Sequence, residues 1–194
     1  MPASMQQITD YLYELGSLKL VNRKTYVKGQ TRVENSAEHS WHLAMACWNI
    51  AETFQLNISH EKLIKLALVH DLGEIDAGDT FLYSNDRSNA HIKERDCVAR
   101  LQQYAGNGCE NLQDLWEEQE TGTSAETKLL KAVDRLLPFM YNIKSQGKAW
   151  RELKVKRSQV TKAHAFIKND FPEIHNWMTA QVEIAVSQGW LIDE

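Results

Sequence analysis

The sequence predicts an all-α fold, a bundle of about six to eight helices, on three observations. Only three prolines occur, Pro2, Pro138 and Pro172, so long intervals run without a breaker. Apolar residues recur at helical spacing in segment after segment. No convincing strand alternation, repeat or low-complexity tract interrupts them. With 194 residues, 43% hydrophobic and 25% charged, the chain reads as one domain that buries its core without staples.

Each element has its own pattern. MQQITDYLYELGSLK (5–19) carries Ile8, Leu12 and Leu15 at helical spacing and meets Gly16, which predicts a short amphipathic helix. NRKTYVKGQTRVEN (22–35) is polar and rich in β-branched residues, and reads as loop or short extended chain. SAEHSWHLAMACWNIAETF (36–54) predicts a strong helix capped by Ser36. Through Trp41, Ala44, Cys47, Trp48 and Ala51 it is apolar nearly all round, as a central buried helix is. SHEKLIKLALVHDLGE (59–74) opens on a Ser59 cap and Glu61 and then turns apolar. Gly73 and Gly78 predict a helix end and a turn over 73–80. Further helices are expected over 88–105, in the acidic ENLQDLWEEQE, over 124–145 with a kink or join at Pro138, and in AWRELKVKRSQVTKAHAFIK and PEIHNWMTAQVEIAVSQGW.

Composition narrows the function classes. Lys and Arg total 22 against 26 Asp and Glu, a net charge of −4, which is not the basic excess of a nucleic-acid binder. The basic residues from Lys144 to Lys162 are interrupted by Glu152 and read as a solvated face, with nucleic acid or acidic lipid as the alternative partner. No run reaches the roughly 18 apolar residues of a membrane span, and the N-terminus lacks a basic-then-apolar signal, so no membrane is expected. Cys47, Cys97 and Cys109 form no Cys-x-x-Cys pair and read as reduced thiols of a cytoplasmic protein. Trp177 and Trp190 read as packing or a dimer contact.

Four places set a metal-capable side chain in an apolar helical context: His39 in NSAEHSWHLA, His70 and Asp71 in LVHDLGE, and Asp134 in KAVDRLLPF. Asp134 shares a stripe with Leu130, Leu137 and Tyr141. A carboxylate there must be paired or metal-bound, because unpaired burial is costly; a buried salt bridge to an Arg is the alternative. Two His and two Asp from three helices make a normal ligand set for one divalent ion. The mixed N and O donors suit Mn, Fe, Co, Ni or Zn better than Mg or Ca. His42, one turn from His39, competes for the same role, and the His-Glu-x-x-His zinc pattern is absent.

The series His39, His70–Asp71, Asp134 resembles the HD-domain metal-dependent phosphohydrolase superfamily. LVNRKTYVKGQTRVENSAEHSWHLA and LALVHDLGEIDAGD further resemble its 5′-deoxynucleotidase branch and the oxetanocin-like relatives. The resemblance implies a single HD domain over residues 1–194, its motif core at about 15–140 and its C-terminal helices (148–190) packed on it. It implies that His39, His70, Asp71 and Asp134 hold one divalent transition metal. Glu74 would orient the attacking water, Asp79 would serve catalysis and the nucleotide end of the site, and Arg23 would hold the substrate phosphate. Lys24, Asp71 and Thr80 complete the substrate-binding set, Arg32 and Asn35 are read as structural, and the assembly implied is a homodimer. One departure stands out: the family's Trp after the phosphate arginine is here Lys24, which puts deoxynucleoside selectivity in question.

The resemblance implies release of phosphate from a nucleoside 5′-monophosphate by a cytoplasmic enzyme, and the residue types suit a phosphomonoester. A phosphomonoester carries about two negative charges near neutral pH, and the Arg23 fork can grip two of its oxygens. Three alternatives remain open on sequence alone. One is hydrolysis of a triphosphate or guanosine polyphosphate, which a second cation at Lys24 would suit. Another is a metal-binding protein without catalysis, and the last a di-iron oxygenase for which His91 is the candidate extra ligand.

Overall fold

The computed structural model describes residues 2–84 and 87–194, the side chains of 87–89 apart. Asn85 and Asp86, within the segment TFLYSNDRS, lie outside the described residues. The fold is mostly α, with a two-stranded sheet as the β structure found among the described residues. Helices number eleven there, more than expected, because three of them span only four or five residues. The chain divides into two compact units.

The first unit comprises Met1–Arg23, Asn35–Thr80 and Asp86–Leu130. Helix α1 (Met5–Leu15) starts at a Ser4 capping box, in which the Gln7 side chain accepts from Ser4 N–H at 2.8 Å. Its buried residue is Tyr11 and Leu12 is 60% exposed, so the inner face is rotated from the expected one. A 3₁₀ turn (Gly16–Leu20) comes next and buries Leu18. Helix α2 (Ser36–Thr53) is not capped by Ser36, as expected, but by Asn35. The Asn35 side chain accepts from Glu38 N–H at 2.9 Å, and Glu38 accepts in return from Asn35 N–H at 3.0 Å. Nor is α2 buried all round. It buries His39, Ser40, Leu43, Ala44, Cys47 and Ala51, while Trp41, Met45 and Trp48 stay exposed on one stripe. Helix α3 (His60–Val69), capped by Ser59, packs on α2. Helices α4 (Glu74–Ala77), α5 (Arg87–Gln102) and α6 (Leu112–Thr121) complete the unit. Val69, Leu72, Cys97, Val98, Leu101 and Trp116 form its apolar core with Tyr11 and Leu18.

The second unit comprises Lys24–Glu34, Phe81–Asn85 and Lys131–Glu194. Strands β1 (Asn22–Tyr26) and β2 (Val33–Asn35) pair across a turn in which Gly29 and Gln30 take positive φ. Helix α7 (Ala125–Lys144) runs through Pro138 as one element; proline removes a single N–H from its ladder. The segment expected as one helix after it divides into α8 (Lys148–Glu152), α9 (Arg157–His164) and α10 (Ile167–Asp170). Helix α11 (Pro172–Ser187) begins with Pro172 in its first turn, where a missing N–H costs nothing. Phe139 is the hub of this core, in edge contact with Trp150, His164 and Trp177. The basic run is partly paired: Lys156 with Glu194, and Arg157 with Glu183 and Asp193.

Candidate active site

The segment LALVHDLGEIDAGDT carries most of the site. Its apolar start, Leu66 and Ala67, is fully buried in α3 and anchors the charged turn after it. Sequence spacing suggested that one helix continues through His70, Asp71 and Glu74. The structure differs: α3 ends at Val69, and the next hydrogen bonds reach back three residues. Leu72 N–H donates to Val69 O at 3.1 Å and Glu74 N–H to Asp71 O at 3.0 Å, a tightened turn. Packing sits behind it. Gly73 lies flat against α5, where an added Cβ would come 2.5 Å from Glu94 Cβ and 2.7 Å from its Cα. After α4, Gly78 adopts φ 76° and ψ 162°, which glycine reaches without a side-chain penalty, and Asp79 is the next residue.

Arg23 is the hub of the charged groups. Its Nη1 lies 3.0 Å from Asp71 Oδ2, 3.6 Å from Asp79 Oδ1 and 3.9 Å from Glu74 Oε1. Asp71 uses its other oxygen toward His70, with Oδ1 2.7 Å from Nδ1. The rings of His39 and His70 lie 5.7 Å apart. His39, His70 and Asp71 each offer a donor atom within 4.8 Å of the others, and among the described residues this is the group that could hold a metal.

Electrostatics separates the acids. Burial opposes ionisation of Asp71, but His70, then Arg23 and His39, hold its carboxyl down to about 2. Burial, then the charge of Asp71, push Glu74 up to about 9; Arg23 pulls the other way and Asp79 adds to the rise. Three carboxylates against one guanidinium leave an excess of two negative charges when all are ionised. That is the charge a divalent ion supplies, so donor types and charge both fit the metal expected. Burial and the Asp71 charge favour the protonated form of Glu74, which would remove one of the two.

The structure thus brings together Arg23, His39, His70, Asp71, Glu74 and Asp79, with Thr80 next in the chain and half-buried. Asp134 and Lys24 belong to the second unit. There Asp134 is buried on α7 and its Oδ2 lies 2.5 Å from Nη1 of its chain neighbour Arg135; Lys24 is exposed on β1. His42 stacks on Trp41, and His91 stacks on Trp116 with its Nδ1 3.2 Å from Glu120. Asp76, an acid given no role by sequence, makes a two-point contact with Arg100, both distances 2.9 Å. Arg100 also reaches Glu14 at 2.8 Å, so this acid ties α4 to α5 and α1. Two nearby residues escaped the sequence reading. Ser36 donates to Glu74 Oε2 at 2.5 Å, and Glu94 is a half-buried acid raised by burial and by Glu120. Ser36 was legible in hindsight: Asn35 with Glu38 three residues later is itself a capping box, which frees the serine.

Known proteins share this arrangement of sequence. A family model described as HD domain matches residues 15–175. The 5′-deoxynucleotidase HDDC2 of Danio rerio is 30% identical over 135 residues, 68% of this chain and 66% of that protein. The 5′-deoxynucleotidase YfbR of Escherichia coli is 28% identical over 140 residues, 67% of this chain and 69% of that one. A crystal structure from Magnetospirillum magnetotacticum, described as a predicted metal-dependent phosphohydrolase, superposes with a TM-score of 0.86. It is 30% identical and covers 98% of this chain and 96% of its own.

Proposed function

The chain belongs to the HD domain family, and from that premise we propose that it is a metal-dependent phosphohydrolase releasing phosphate from nucleoside 5′-monophosphates. Deoxynucleotides are the proposed sugar class, in line with the names of the zebrafish and bacterial relatives. One observation carries the reading: a single part-buried arginine within 3.9 Å of three carboxylates, beside a His–His–Asp donor group.

His39, His70 and Asp71 would hold a divalent transition ion, with Asp134 as the proposed fourth ligand. Such an ion supplies a Lewis acid for a phosphoryl oxygen and lowers the pKa of water. The protein's own groups do the rest. Arg23 offers a planar fork of N–H donors to the phosphate, which competes with Asp79 and Glu74 for it. Glu74 orients the attacking water and accepts its proton, and a divalent ion held beside it would oppose the rise that burial and Asp71 impose on its carboxyl. Asp79 and Thr80, just after the Gly78 turn, assist the leaving 5′ oxygen and the nucleotide end. Lys24, exposed and adjacent to Arg23, adds a cation for the substrate's phosphate side.

The family match takes in residues of both units, which supports reading the chain as one HD domain. The exposed Trp41, Met45 and Trp48 stripe supports a homodimer, and three free thiols support a reducing, cytoplasmic setting. Among the described residues no helix is long and apolar enough to cross a membrane.

A panel of ribo- and deoxyribonucleoside mono-, di- and triphosphates, assayed with Mn(II), Co(II), Ni(II) and Zn(II), tests the proposal. Orthophosphate release from 5′-monophosphates is expected, and deoxy forms should turn over faster. Exclusive pyrophosphate release from triphosphates, or no release from any member by metal-loaded protein, overturns it.

A further inference from the structure

We infer that Ser36 is a positioning residue for Glu74: its hydroxyl fixes one carboxylate oxygen so that the other faces the reacting water. The inference rests on the proposed role of Glu74 and goes beyond it, to the group that makes that role geometrically definite.

Ser36 is fully buried and held at both backbone ends. Its N–H donates to Val21 O at 3.0 Å, and its C=O accepts from the Ser40 hydroxyl at 3.0 Å. Serine in the first turn of a helix commonly turns back to satisfy an open N–H. Here the Asn35–Glu38 box already does that work. The Ser36 hydroxyl points inward and meets Glu74 Oε2 at 2.5 Å.

The two oxygens of Glu74 thereby differ. Oε2 is engaged by Ser36, while Oε1 is the oxygen 3.9 Å from Arg23 Nη1, on the side of Asp71 and Asp79. A hydroxyl donates to a carboxylate and can accept from a carboxylic acid, so the contact survives either protonation state. Ser36 keeps its own proton throughout. The proton taken from water resides on Glu74 Oε1, and no bond to Ser36 forms or breaks. With Arg23 approaching Oε1, the hydrogen bond to Oε2 fixes which way the buried carboxylate is turned.

A double-mutant cycle on the metal-loaded protein tests this, with a nucleoside 5′-monophosphate as substrate. Ser36→Ala should lower kcat about tenfold, the effect of one hydrogen bond to a charged group, with KM and bound metal within about twofold of wild type. In the Glu74→Gln background the same change should alter the residual kcat less than about twofold, since the group it positions is disabled. Equal losses in both backgrounds, or a wild-type kcat for Ser36→Ala, overturn the inference. Should Ser36→Ala not fold, Ser36→Cys, which keeps the side-chain shape but donates far more weakly, carries the same cycle. Glu74→Gln with full activity would instead defeat the underlying reading of Glu74, an outcome separable from failure at Ser36.

Discussion

His164 should make the protein markedly less stable in mild acid. It lies at the end of α9, 4% exposed, in a T-shaped contact with Phe139, the ring centroids 5.4 Å apart. Its Nε2 finds no hydrogen-bond partner among the described residues. Burial, then the positive Arg135 and the facing His175, hold its pKa down to about 3; Asp134 opposes them. The folded chain therefore keeps His164 neutral while the unfolded chain protonates it below the ordinary 6.5. The unfolded state binds the extra proton, so stability is full above pH 6.5 and falls steadily toward pH 3. Each pH unit in that window costs about 1.4 kcal/mol, which gives about 2 kcal/mol between about pH 7 and pH 5. Urea unfolding of wild type and His164→Gln at both pH values isolates this contribution. The glutamine variant should lose about 2 kcal/mol less on acidification, whatever its stability at neutral pH. The double difference removes effects common to both proteins, loss of bound metal included. Equal pH dependence in the two proteins would show that His164 is solvated or protonated in the folded state, and the reasoning would fail.

Four other outcomes are expected of the same structure. Gly73→Ala would place a Cβ against the Glu94 backbone, so it should cost about 2–4 kcal/mol in urea unfolding and most of the activity. Asp71→Ala should lose both bound metal and turnover, whereas Glu74→Ala should retain metal by elemental analysis and lose turnover at least about a hundredfold. Arg23→Lys keeps the charge but not the fork, and should lower kcat/KM roughly 30- to 100-fold with metal content unchanged. Trp41→Glu with Trp48→Glu should shift sedimentation toward monomer without loss of helicity by circular dichroism; unchanged association would move the dimer contact elsewhere.

Helix class and location were legible because they depend on periodicity, which a chain carries locally. Ser59 and Gly78 do what their types suggest, and α3 buries the residues its spacing marks. What escaped depends on partners distant in sequence. Ser36 and Asn35 are both good caps, and only three-dimensional packing decides which one turns inward. The helix break after Val69 reflects the close approach of α5 at Gly73, a contact with Glu94 far along the chain that no local pattern encodes. Apolar content likewise overstated the burial of α2, since a tryptophan stripe looks the same in a sequence whether it faces a core or solvent.

The clustered acids of LVHDLGEIDAGD divide by what neutralises them. Asp76 is matched by Arg100 at the surface and needs nothing more. Asp71, Glu74 and Asp79 converge on Arg23, and Asp71 meets His70 as well, so three acids crowd one largely buried site. A fold selected for stability alone would replace two of these acids with apolar side chains, as buried ion clusters seldom repay their desolvation. Their retention has a physical rationale if a divalent cation supplies the missing charge. In the proposed function a substrate phosphate would compete with Asp79 and Glu74 for Arg23, so binding would loosen those pairs. In the proposed reaction Glu74 would take up the proton that hydrolysis releases on Oε1, the oxygen on the Arg23 side, while Ser36 holds Oε2.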